Sequence, residues 1–165
     1  MNLRGEDATV ITVIEKPAYE NMLYVVYIEE LKHTLLTEAM GRIKFLDSKF
    51  NFQKILVDST GLGAAVVDVL KEDLKQKVVD MYFTNKNKYS MYSHLKLLME
   101  KGKLKIPYNR KLYYEMMDLQ MEFGSKSSEP KLHHSPRGHD DYPDSLALAA
   151  YGFKDSNNAY VPTIC

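Results

Sequence analysis

Residues 55–70 read Ile-Leu-Val-Asp-Ser-Thr-Gly-Leu-Gly-Ala-Ala-Val-Val-Asp-Val-Leu. A short apolar run ends in an acid, two glycines follow, and apolar residues then recur at helical spacing. That order predicts a buried strand turning directly into a helix, and it commits the chain to an α/β class. An acid at the carboxyl end of such a strand stands where open α/β sheets gather their ligands.

The rest of the chain fits the same class. Residues 8–15 are short and β-branched and predict a strand. Pro17 and Asn21 mark a turn, and a second strand over Leu23 to Glu30 pairs antiparallel with the first. Thr37 to about Phe50 reads as a helix with Met40, Ile43 and Leu46 or Phe45 inward, and Lys77 to Phe83 as another strand. A helix covers about Tyr89 to Lys101 and stops at Gly102. A basic segment, Lys103 to Pro107, leads to a further helix with a stripe of Leu112, Met116, Leu119 and Phe123. Residues 124–138 are rich in Gly, Ser and Pro and predict a loop, and a last helix opens near Asp141.

At 165 residues with 45% hydrophobic content the chain holds one domain with a full core. The single cysteine, Cys165, excludes an internal disulfide. No apolar run approaches the ~18 residues of a membrane span, and no basic-then-apolar signal opens the chain. The expectation is a globular, intracellular protein with no membrane partner.

Twenty-two basic residues balance 22 acidic ones, but unevenly. Residues 84–113 hold eight Lys/Arg and one acid, Glu100, a net of +7 that leaves −7 for the remainder. Separated poles can attract a polyanion with one region and hold cations with another. A solvated helical face explains the same run.

Two constellations carry chemistry. Asp58-Ser-Thr-Gly-Leu-Gly63 could cradle a phosphate at a helix start, place Asp58 on a metal, or simply make a capping turn; the dinucleotide and Walker patterns are both absent. The second is Gly138-His-Asp-Asp-Tyr-Pro-Asp144. Asp141 and Asp144 stand three apart on one face of a helix start, and with Asp140 they make more acid than capping requires. Crowded carboxylates repel without a cation, and oxygen ligands suit Mg²⁺ or Mn²⁺. Two such ions activate a water and stabilise a leaving oxygen in phosphodiester cleavage. His133, His134 and His139 offer a competing zinc idea without well-paired spacing. Tyr89, Tyr92, Tyr108 and Tyr113, among the lysines, are core, surface or stacking residues at a nucleic-acid groove.

The ordered segments ATVITVIE, ILVDSTGLG, YFTNKNKYSMYSHLKLLMEKGKLKIP and GHDDYPDSLALAAYGF resemble the C-terminal nuclease domain of viral large terminase subunits, from Glu6 to about Phe153. The resemblance implies a ribonuclease H-like, RuvC-like mixed sheet flanked by helices over residues 1–154, with 155–165 as a tail. It implies a metal-dependent endonuclease with two Mg²⁺ or Mn²⁺ ions, cutting concatemeric viral DNA during packaging in the host cytoplasm. Double-stranded DNA, the terminase small subunit, the portal and a preceding packaging ATPase are the implied partners. By position, Asp58, Asp141 and Asp144 match catalytic, metal-binding acids, and Asp7 matches an accessory metal ligand. His139 and Asp140 are accessory residues, and Lys86, Lys88, Lys101, Lys103, Lys105 and Arg110 would hold the DNA backbone.

The family's first catalytic Asp falls at Met1-Asn2, where no acid stands, and most of its strand is missing. One alternative is therefore a DNA-binding or packaging-motor interaction module with an incomplete centre. Another is a nucleotide binder using Asp58 to Gly63. The missing strand would lie between residues 8–15 and the strand ending at Asp58. The stub Met1 to Arg4, the tail Ala159 to Ile164 or a strand lent by a second copy would then fill its slot.

Overall fold

The computed structural model describes residues 8–61, 63–122, 131–136 and 138–154. Strands β1 (Thr9–Glu15) and β2 (Leu23–Leu31) form an antiparallel hairpin, and β2 continues in parallel to the two-residue β5 (Leu104–Lys105). A second sheet pairs β3 (Ile55–Asp58) in parallel with β4 (Val78–Met81). Helices α1 (Leu36–Phe50), α2 (Gly63–Leu74), α3 (Asn85–Glu100), α4 (Arg110–Asp118) and α5 (Asp141–Tyr151) complete the layers. No helix among the described residues is long and apolar enough to cross a membrane.

The alternation of side chains along β1 decides which layer covers which face. Val10 and Ile14 point into one cluster with Leu56, Met91, Leu95 and the apolar residues of α5. Ile11 and Val13 point into the other, with Ile43 and Leu46 of α1, Ile55 and Val57 of β3, and Val67 and Leu70 of α2. Both sheets therefore share the same two helical layers, although no ladder joins β1 to β3 among the described residues. The expected slot lies between those strands; the stub and tail put forward to fill it lie outside the described residues.

Two expectations are corrected. The stripe Leu112, Met116, Leu119, Phe123 was to run along one helix, but α4 ends at Asp118 and Leu119 is extended, with φ −64° and ψ 131°. Only Leu112 of α4 is buried; Phe123 lies outside the described residues. Within the expected loop of 124–138, Lys131–His133 forms β7, antiparallel to β6 (Gln120–Glu122). Paired backbone groups make that hairpin, although its composition carries no strand signal.

Helix α5 is locked to β1 by a buried polar contact. Ser145 Oγ bonds the Val10 carbonyl at 3.1 Å and Thr12 Oγ1 at 2.8 Å. Thr12 and Ser145 are almost fully buried, so losing one partner leaves the other without water to replace it. Ser145→Ala should lower stability by about 1–3 kcal/mol, measured by urea unfolding. Thr12→Val with Ser145→Ala should recover part of that loss, and equal or larger loss in the double variant would show that the pair does not act together.

Candidate active site

The carboxyl ends of β3 and β4, the start of β1 and the first turn of α5 meet at one edge of the molecule. A cavity of about 560 Å³ opens there, lined by Asp58, Asp140, Asp141 and Asp144, with Thr9, Val10 and Val57 of the two sheets at its walls. Asp7 lies outside the described residues.

Asp58 is delivered by the turn out of β3. Its Oδ1 accepts the Thr60 backbone N–H at 2.8 Å, and Thr60 Oγ1 accepts the Phe83 N–H at 3.0 Å, tying the turn to the end of β4. Gly61 takes a left-handed conformation at φ +61°. Gly63 begins α2 so close beneath β3 that a Cβ there would stand 1.8 Å from the Asp58 carbonyl oxygen. The glycines make this turn.

The acids of α5 do more than cap it. Asp140 occupies the N-cap position, yet its side chain makes no capping hydrogen bond. Its Oδ2 instead accepts from Lys88 Nζ at 2.6 Å. Lys88 Nζ also reaches Asp144 Oδ2 at 2.8 Å, and the Tyr92 hydroxyl donates to Asp144 Oδ1 at 2.6 Å. Both Asp144 oxygens are thus engaged from α3. Asp141 turns the other way, its Oδ2 accepting the Ala8 N–H at 3.4 Å.

Burial pushes the Asp144 carboxyl up to about 6, against the pull of Lys88 and with help from the charge of Asp140. Burial opposes the Lys88 charge, but Asp144 and Asp140 outweigh it and hold its pKa above the ordinary lysine value. Tyr92 is driven far up by burial and by Asp144, so its hydroxyl remains a donor. Sequence reasoning placed Lys88 on DNA and missed Tyr92 as its companion; 52 and 56 positions separate Lys88 from its two acids.

Glu115 was also missed. Its carboxylate accepts the Tyr142 N–H at 2.9 Å, and burial raises its pKa with support from Asp141. It lines a second cavity, about 680 Å³, with Lys32, Arg110, Lys111, His139 and Asp141. His139 is exposed and stacks on His134 at 6.5 Å, whose Nε2 stands 3.9 Å from Asp140 Oδ1. The zinc idea finds no support: no three His, Cys, Asp or Glu side chains among the described residues are grouped closely enough to hold an ion. Asp58, Asp141 and Asp144 are not such a group either. They share a cavity without forming a closed cage.

The basic run divides. Lys86 and Lys88 sit on the first turn of α3, and Arg110 lines the second cavity beside Asp141. Lys101, Lys103 and Lys105 do not join them. Leu104 pairs with Leu23, whereas Leu31 at the other end of β2 pairs with Thr9 of the acid end. The length of β2 sets the two ends about 26 Å apart.

Two outcomes follow from this geometry. Gly63→Ala should cost about 1–3 kcal/mol through the collision with Asp58, read as a lower denaturation midpoint; an unchanged midpoint would mean the turn relaxes freely. The Asp144 pKa, raised above its ordinary 3.8, means this carboxyl binds more proton in the folded chain than in the unfolded one between about pH 4 and 6. This contribution is most favourable below about pH 4 and is lost as pH rises through 6, a change of ~3 kcal/mol. Asp144→Asn should flatten that slope in denaturation measured across the window. An unaltered slope would assign the proton to another group.

The family model of the terminase RNaseH-like domain matches residues 3–151. The large terminase subunit of Thermus virus P23-45 is 26% identical over 125 residues, covering 76% of this chain and 26% of that protein. That of Thermus phage G20c is 25% identical over 122 residues, covering 74% and 25%. The chain thus spans about a quarter of the length of these relatives. The crystal structure of the G20c large terminase nuclease with bound cobalt superposes with a TM-score of 0.70 at 19% identity, covering 91% of this chain and 89% of that one. The Thermus phage P74-26 large terminase nuclease domain gives 0.66 at 19% identity, over 96% and 91%. A mixed α/β fold with Asp58 at the carboxyl end of a strand and three more acids at the start of a buried helix fits the ribonuclease H-like arrangement, and the chain belongs to the terminase RNaseH-like domain family.

Proposed function

We propose that this chain is the metal-dependent DNA endonuclease domain of a terminase large subunit, cutting concatemeric viral DNA during packaging in the host cytoplasm. The convergence of Asp58, Asp140, Asp141 and Asp144 on one cavity carries the reading. The solved G20c relatives, described as nucleases with bound cobalt or magnesium, support it. Residues 1–154 form the domain and 155–165 its tail. Double-stranded DNA, the small subunit, the portal and a packaging ATPase are its partners.

Oxygen-only donors suit Mg²⁺ or Mn²⁺, so the donor type fits. The grouping is incomplete, because Lys88 holds two of the four carboxylates. Asp58 and Asp141 would hold a metal, with Asp7 as the accessory ligand. Bound divalent ions would supply an activated water and stabilise the leaving oxygen. The protein's own part is to orient Asp58 through the Thr60 N–H, to fix Asp144 through Tyr92, and to meet phosphates with Lys86 and Arg110.

The Lys88 clasp favours a second reading, a DNA-binding or motor-interaction module with an incomplete centre. Plasmid nicking separates the two. Under the first, Mg²⁺ or Mn²⁺ supports cutting that a chelator, Asp58→Asn or Asp141→Asn reduces to background while the fold persists. Binding that weakens with salt, without cutting under either metal, selects the second.

A further inference from the structure

The chain on either side of the lysines at the far end of the sheet lines a feature that phosphodiester cleavage does not use. A groove of about 410 Å³ runs between the end of α3, residues 106–109 and α4, floored by Leu112 and Leu146 and walled by Met99, Ile106, Met116 and Met117. Its rim is apolar and open: Tyr108 is 85% exposed, Met117 71% and Tyr113 54%. Contiguous apolar surface of this kind marks an interaction site, and methionines suit a surface that adapts to a partner side chain.

Cations interleave with these residues in the chain. Lys101, Lys103 and Lys105 lie on the segment joining Met99 to Ile106, and Arg110 lies between Asn109 and Leu112. No carboxylate among the described residues pairs with Lys101, Lys103 or Lys105; the nearby Glu100 faces Lys96 at 3.7 Å. A second copy related by a twofold axis would set these lysines against each other. A nucleic-acid strand stacks its bases on aromatic faces; Tyr108 and Tyr113 offer two at the rim, but the floor and the remaining walls are aliphatic side chains and methionines, which suit the apolar side chains of a protein segment.

We infer that this groove binds an acidic amphipathic segment of a partner protein, its apolar side chains seated between α3 and α4 and its carboxylates on Lys101, Lys103 and Lys105. The mode is a helix laid in a groove. The 9 residues of α4 match a partner of about three turns.

The probe is a synthetic helical peptide of that length with Leu and Met at i, i+3, i+4 and i+7 and Glu along both flanks. Controls are its scramble, a Lys-flanked version and a single-stranded oligonucleotide. The expected result is saturable binding of the Glu-flanked peptide alone, with NMR shifts at the methyls of Met99, Met116 and Met117. Lys101→Glu/Lys103→Glu/Lys105→Glu should weaken it about tenfold or more, a loss of ~1.4 kcal/mol per tenfold. Met117→Asp, at an exposed position, should abolish it with the melting temperature unchanged. Equal binding by the scramble, shifts outside the groove, absence of binding by the Glu-flanked peptide, or oligonucleotide binding at these methyls would overturn the proposal.

Discussion

Helix α5 is the contact on which the rest of the structure depends. Leu146, Ala147, Leu148, Ala149 and Ala150 are all fully buried, so the helix has no solvent face between its first turn and Tyr151. The run of small side chains lets β1 on one side and α3 and α4 on the other come close without a void, where dispersion and exclusion of water both act. A helix buried on this scale has one permitted position, and its first turn is carried with it. Asp140, Asp141 and Asp144 therefore reach the cavity because the packing of this eleven-residue helix fixes where it begins.

That placement creates an electrostatic problem which α3 solves. Four carboxylates in one partly buried cavity destabilise one another. A single ammonium, Lys88, takes two of them, and Tyr92 uses its buried hydroxyl on the more deeply placed one. The Lys88 and Asp144 side chains are only 17% and 18% exposed, so this pair is not a screened surface contact. Breaking it would strand a charge. Asp58 and Asp141 stay outside the clasp.

Much of this was readable from the chain and some was not, for definite reasons. β1, β2, β3, α1, α2 and α5 were legible because each apolar run is bounded by a turn signal and shows one clean period. The acids of α5 were legible because three in five positions exceed what a helix start needs. The β6–β7 hairpin was hidden because its stability comes from mutual backbone pairing rather than from side-chain type. The role of Lys88 was hidden because its partners are remote in sequence, and a run of lysines looks alike along its whole length. Burial of the Tyr92 hydroxyl was likewise set by α5, not by its neighbours in α3.

The basic run spans the two ends of one helix. α3 has 16 residues and therefore extends about 24 Å. Lys88 stands in its first turns, and Lys101, Lys103 and Lys105 follow its last. The same helix thus delivers a neutralising charge to the acid cavity at one end and is followed at the other by lysines that pair with no carboxylate among the described residues. A net of +7 over residues 84–113 is a sum over two surfaces of different chemistry. The charge that matters at each is what remains after pairing: almost none at Lys88, and, among the described residues, three cations beyond Glu100. Polarity of this kind is a property of the element that separates the charges, so composition alone cannot assign the run to one ligand.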